Sequence, residues 1–150
     1  MVNPRISLNV LVKELGGEEF FLAEQVWLGY HQQKADPAID RVFGVFIEDT
    51  LGALARCRRH PDGLEVDAVY TPDQYRGRGY ARMVVRALVD ACGNEPLYMH
   101  STLDLVGFYG TFGFVEIREG DLPLSIRDRF SFANGDLKGA DVSPMKRIPP

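Results

Sequence analysis

Val69-Tyr70-Thr71-Pro72-Asp73-Gln74-Tyr75-Arg76-Gly77-Arg78-Gly79-Tyr80-Ala81 joins two segments of different hydrophobic period. Before it, Leu64, Val66, Ala68 and Tyr70 alternate with Glu65, Asp67 and Val69, which is the period of a strand. After it, Ala81, Val84, Val85, Leu88, Ala91 and Cys92 share one face of a helix, with Arg82, Arg86 and Asp90 on the solvated face. A strand therefore ends, a loop carrying two glycines and two arginines follows, and a helix begins. Successive N–H groups at a helix start cradle an anion, and glycines let a ligand approach the backbone with no Cβ in the way. Arg76 and Arg78 add charge suited to phosphate oxygens, so the turn reads as a pyrophosphate cradle. Neither familiar nucleotide motif fits. Arg82 stands where a dinucleotide fingerprint needs its third glycine, and no Gly-Lys-Ser/Thr follows.

Upstream of this stretch, Ile6–Val12 reads as a strand broken by Gly16-Gly17. A helical stripe of Phe20, Ala23, Trp27 and Tyr30 predicts a helix from Glu18 to about Lys34, stopped by Asp36-Pro37. Arg41–Glu48, Leu51–Arg58 and Leu64–Tyr70 form an antiparallel meander, the last two joined by the turn His60-Pro61-Asp62-Gly63. Downstream, Gly93-Asn94 and Pro96 end the second helix, and Leu97–Thr102 reads as a strand. A short helix over Asp104–Phe112, a strand over Phe114–Ile117 and a short helix over Asp121–Ala133 follow, the last with Pro123 in its first turn. Val142–Ile148 is the final strand, which Pro144 confines to an edge or a bulge. This order predicts an α/β (α+β) fold. It is a mixed, mostly antiparallel central sheet with helices on both faces, built as a single domain over residues 1–150.

Composition agrees with one globular domain: 150 residues, 45% apolar and 25% charged. Cys57 and Cys92 are too few for a disulfide framework or a cysteine zinc site and read as reduced core residues. No His/Asp/Glu spacing suggests a metal. A net charge of −4 argues against general nucleic-acid binding, although Arg56–Arg59 and Arg76–Arg82 are local basic patches. No apolar run reaches the ~20 residues of a membrane span, and the amino terminus lacks a signal-peptide pattern, so a cytoplasmic protein is expected.

Gln74-Tyr75-Arg76-Gly77-Arg78-Gly79 resembles the Gln/Arg-x-x-Gly-x-Gly/Ala signature of the GNAT superfamily of N-acetyltransferases. Phe108-Tyr109-Gly110-Thr111-Phe112-Gly113-Phe114 is similar to that family's second hallmark, a tyrosine shortly before a Gly-Phe pair. The element order matches over nearly the whole chain. The resemblance implies acetyl-CoA as acyl donor, lying in a wedge where the strand ending at Tyr70 and the strand Leu97–Thr102 splay apart. It implies pantetheine contacts from the backbone of Val69, Tyr70 and Thr71, and a pyrophosphate surrounded by Arg76, Gly77, Arg78, Gly79, Tyr80 and Ala81. Thr102 stands where the family often has asparagine, seven residues before Tyr109.

By the same resemblance Tyr109 is the general acid for the departing thiolate. Glu65 and Asp67 share one strand face and are the candidate base, or else two acids on a solvated surface. The implied acceptor is a small-molecule or peptide amine. Its pocket is expected near Tyr30 and the Asp121–Ala133 segment with Phe130 and Phe132, while Trp27 reads more simply as core. His100 reads as packed in its strand, and His31 and His60 as surface residues. The family resemblance leaves room for a homodimer. A non-catalytic acyl-CoA sensor of the same fold is the alternative reading.

Overall fold

In the computed structural model, which describes residues 8–129 and 142–150, seven strands pair into one sheet. They are β1 (Val10–Glu14), β2 (Asp40–Ile47), β3 (Thr50–His60), β4 (Gly63–Tyr70), β5 (Leu97–Thr102), β6 (Val115–Glu116) and β7 (Val142–Arg147). Their order across the sheet is β1-β2-β3-β4-β5-β7-β6. The β4–β5 pair is parallel and the others are antiparallel. Helices α1 (Phe20–Trp27), α2 (Tyr80–Cys92) and α3 (Val106–Gly110) are joined by a further helical stretch at residues 124–129.

The sheet is buried on both faces, which is why β2 and β3 read as nearly continuous apolar runs. On one face Val84, Val85 and Leu88 of α2 pack on Phe43, Val45, Ala55, Val66 and Met99. On the other, Phe20, Ala23 and Trp27 of α1 pack on Val42, Leu51, Leu54 and Ala68. Each fully buried aliphatic or aromatic side chain here contributes about 1.5–3 kcal/mol of transfer free energy. Cys57 and Cys92 are free and buried, as expected of reduced core residues.

Three elements differ from the sequence reading. The first helix stops at Trp27, not near Lys34, because tertiary contacts claim the next turn. His31 and Gln32 lie at φ +56° and +50°, the Ala35 N–H donates to the Glu24 carboxylate, and Tyr30 leaves the stripe to stack on Tyr70. β7 is not an edge strand, since the two residues of β6 cover it. Pro144 is tolerated because its carbonyl accepts from Ile117 N–H at 3.0 Å on the β6 side. Its missing N–H faces that same side, where β6 has already ended, and leaves the β5 ladder untouched. The first strand begins at Val10, and Ile6 lies outside the described residues, as do Phe130, Phe132 and Ala133 of the last helix.

Candidate active site

β4 and β5 pair only at Leu64↔Leu97 and Glu65↔Tyr98 and then part. The cause lies in β4. Between the pairs Arg56↔Asp67 and Leu54↔Tyr70, one β3 residue, Ala55, faces both Ala68 and Val69, so β4 carries one residue in excess. Such a bulge bends its strand and sharpens the twist. β5, paired with β7 along its whole length, does not follow. A cleft of about 600 Å³ opens there, lined along β4 by Val69, Tyr70 and Thr71, and across from them by Thr102 and Tyr109. Arg76, Gly77, Gly79, Tyr80 and Ala81 line its end at the start of α2.

The glycine turn has the conformation its residues suggested. Gly77 and Gly79 lie at φ +78° and +85°, in the left-handed region that side chains disfavour. A Cβ placed on either meets no protein atom within 4 Å, so the space it would fill is open to a ligand. Arg76 donates from Nε to the Thr71 carbonyl at 2.9 Å and pairs with Asp73 at 3.2 Å, which fastens the loop to the end of β4. Arg78 is exposed and outside the cleft lining. Arg82 is exposed, on the solvated helix face as its spacing predicts, and also lines the cleft. It bonds Thr111 Oγ1 at 3.0 Å and lies over the rings of Phe108 and Phe112 at 5.1 and 5.3 Å. Its position three residues beyond Gly79 was the available signal, because that spacing returns a side chain to the helix start.

Tyr109 is 4% exposed and meets Phe108 and Phe114 edge-on at 5.1 and 6.1 Å. Burial, and secondarily Tyr30, push its phenol well above the ordinary tyrosine value. It therefore keeps its proton at neutral pH. Tyr30 stacks on Tyr70 with centroids 4.9 Å apart and forms part of the cleft wall. Burial, then Asp67, raises the Tyr30 phenol as well, which places Asp67 in electrostatic contact with the cleft.

Glu65 and Asp67 share one face of β4, as their spacing predicts, but they are not solvated. Glu65 is 3% exposed, and both acids are held by arginines. Arg56, 1% exposed, grips Asp67 through two bonds at 2.8 and 2.7 Å and also donates to the Lys34 carbonyl and the Gln33 amide oxygen. Arg129 bridges the pair, with Nε 3.0 Å from Glu65 and a terminal nitrogen 2.9 Å from Asp67. His60, expected at the surface, is buried with Nε2 2.8 Å from Glu65. The Arg56–Arg59 run is likewise no basic patch: Arg58 pairs with Asp40 and Arg59 with Glu95. His100 is packed as expected, and its imidazole is pushed down to about 4 by burial, then by Arg129, against an opposing pull from Asp67. Trp27 is fully buried core and donates its indole N–H to the Ala68 carbonyl at 3.1 Å. Among the described residues, no group of three His, Cys, Asp or Glu side chains could hold a metal, and no helix is long and apolar enough to cross a membrane.

The cleft thus joins a parallel pair that splays at a bulge, a left-handed glycine turn and a buried tyrosine. Residues 10–114 match the model of the acetyltransferase (GNAT) family, and the chain belongs to that family. Membership supports acyl-CoA-dependent acetyl transfer as the general activity. No curated protein matches the sequence. Among solved structures the chain is similar to Rv2747 from Mycobacterium tuberculosis, solved in complex with CoA and NLQ, at 12% identity and a TM-score of 0.70 over 93% of this chain and 99% of that one. The ribosomal-protein-S18-alanine N-acetyltransferase from Escherichia coli matches at 15% identity and a TM-score of 0.65, over 95% and 96% of the two chains. N-acetylglutamate synthase from Neisseria gonorrhoeae, complexed with coenzyme A and N-acetyl-glutamate, matches at 15% identity and a TM-score of 0.65. The match covers 95% of this chain but only 35% of the synthase. At these identities the likeness establishes the fold.

Proposed function

We propose that this chain is an N-acetyltransferase that takes acetyl-CoA in the β4–β5 cleft and acetylates a primary amine by direct attack in a ternary complex. The observation that carries the reading is one continuous cleft joining a backbone edge released by the bulge, a left-handed glycine turn and a buried, proton-bearing tyrosine. Bound there, acetyl-CoA supplies the activated acyl group. The chain's own residues hold and orient it. Beyond Glu65 the backbone of β4 has no β5 partner, so Val69, Tyr70 and Thr71 offer their polar groups to an extended amide arm as a strand would. The Arg76–Ala81 turn, with Arg82 beside it, receives the diphosphate at the start of α2.

Tyr109 holds a proton at its hydroxyl for the sulfur that leaves. Glu65 and Asp67 lie on the α1 side of the sheet, Asp67 in electrostatic reach of Tyr30, and serve the acceptor amine: they attract its cation and are the groups able to take its proton. Their arginine partners make Arg129, the exposed one, the group that moves when either acid works. Relatives of the same fold include a synthase solved with a small N-acetylated amino acid and an enzyme named for a protein alanine. An acceptor of either kind, a small amine or a peptide, is therefore proposed, in a cytoplasmic setting. The test incubates the chain with acetyl-CoA and a panel of primary amines and amino-terminal peptides, following free thiol and acetylated product by mass spectrometry. Acetylation of at least one class supports the reading. CoA binding with no transfer to any member contradicts it and leaves a binding module.

A further inference from the structure

The bulge that opens the cleft is held from outside the sheet. Ala68 lies at φ +52° and is the only residue within a described strand at positive φ. Glycine sits easily in that region, whereas alanine is disfavoured there by its Cβ. A bulge also withdraws its extra residue from the ladder, and the Ala68 carbonyl is instead met by the Trp27 indole N–H at 3.1 Å. Trp27 is fully buried between α1 and the sheet, and the Arg56 guanidinium lies 5.6 Å from its ring centroid. The donor is thus fixed by packing, and the residues just after Ala68 are the ones that line the cleft.

We infer that Trp27 is a positioning residue for the donor arm: its indole N–H holds the Ala68 carbonyl, and that keeps β4 bulged so that Val69–Thr71 face the cleft. The inference rests on the reading of the cleft as an acetyl-CoA site. Without the N–H, a buried carbonyl loses its partner and Ala68 loses the contact that keeps it left-handed. β4 then relaxes toward β5, and the strand part of the site is lost while the glycine turn remains.

Trp27 is the only tryptophan in the chain, so incorporation of benzothienylalanine replaces it alone and exchanges N–H for sulfur at nearly constant shape. Acetyl-CoA affinity should fall roughly tenfold, the worth of one buried hydrogen bond. Adenosine 3′,5′-bisphosphate, which lacks the pantetheine arm, should bind as before. Amide exchange at Val69–Thr71 should quicken. Ala68→Gly, whose left-handed residue needs no clamp, should restore acetyl-CoA affinity in the substituted protein. Equal weakening of both ligands, unchanged acetyl-CoA affinity, or no rescue by Ala68→Gly overturns the inference. If the substituted chain does not fold, the comparison moves to the Ala68→Gly background, where loss of the N–H must leave acetyl-CoA affinity unaltered. If the unmodified protein binds neither ligand, the acetyl-CoA reading fails. The clamp then stands or falls on amide exchange alone, and an unchanged rate sinks it too.

Discussion

Gly79 shows how much one residue can decide. Its φ of +85° sets the start of α2, and no protein atom occupies the place of its missing Cβ. Gly79→Val adds a branched side chain there, so CoA binding should be lost while the far-ultraviolet circular dichroism of the fold persists. A folded variant with unaltered calorimetric affinity removes the pyrophosphate site from this turn. Tyr109 tests the other end. Tyr109→Phe keeps the ring and removes only the hydroxyl, so acetyl-CoA should bind as before while turnover falls by roughly 10²–10⁴, the usual worth of a positioned proton donor. Wild-type turnover would return Tyr109 to a packing role. Gly79 stands out in the sequence from local chemistry, as one of a glycine pair between a period of two and a period of 3.6, whereas Tyr109 stands out only by resemblance to the family's tyrosine before a Gly-Phe pair. Arg56 was not legible. Its burial depends on Asp67 opposite it in the β3–β4 hairpin and on acceptors from Gln33 and Lys34, distant in sequence, which a local reading of β3 does not contain.

At the scale of elements, the strands and α2 were readable to within a few residues because each buries a periodic face. The end of α1 was not. The sequence keeps helical spacing through Tyr30, but Gln33 and Lys34 supply acceptors to buried Arg56, and Tyr30 is drawn onto Tyr70. Those long-range contacts outweigh a weak local preference. The helical residues 124–129 are fastened to β4 by Arg129 and to the β3–β4 turn by the Ser125 N–H, which donates to Asp62 at 3.0 Å. Removing the Arg129 charge leaves Glu65 and Asp67, the proposed acceptor-side acids, with Arg56 and His60 as their remaining side-chain partners among the described residues. Arg129→Gln should therefore lower KM severalfold for doubly cationic amines relative to neutral-tailed ones, with CoA affinity unchanged. Steady-state kinetics on matched amine pairs reads this out, and an unshifted ratio means that Arg129 takes no part in acceptor selection.

Across the whole molecule, the cleft follows from topology. One parallel pair sits inside an otherwise antiparallel sheet, with β5 anchored by β7 and β4 bent by its bulge. The same packing buries ionisable groups and makes stability depend on pH. His100 is held near 4 against about 6.5 in an unfolded chain, so between those values the unfolded state binds more protons. Stability is then complete above about pH 6.5 and declines as pH falls toward about 4. Urea midpoints measured across that range should slope less steeply for His100→Gln than for the wild type. Equal slopes would assign the acid sensitivity to other groups.

In the proposed complex acetyl-CoA lies along β4 and ends on the α2 turn. An amide chemical-shift map of the uniformly ¹⁵N-labelled chain titrated with acetyl-CoA tests it most directly. Saturable shifts should concentrate at Val69–Thr71 and Arg76–Arg82, with weaker ones at Thr102 and Tyr109, and little change along β1 and β2. Shifts that do not saturate, or that gather on the β1 edge and leave the Gly77–Gly79 turn unmoved, would contradict it.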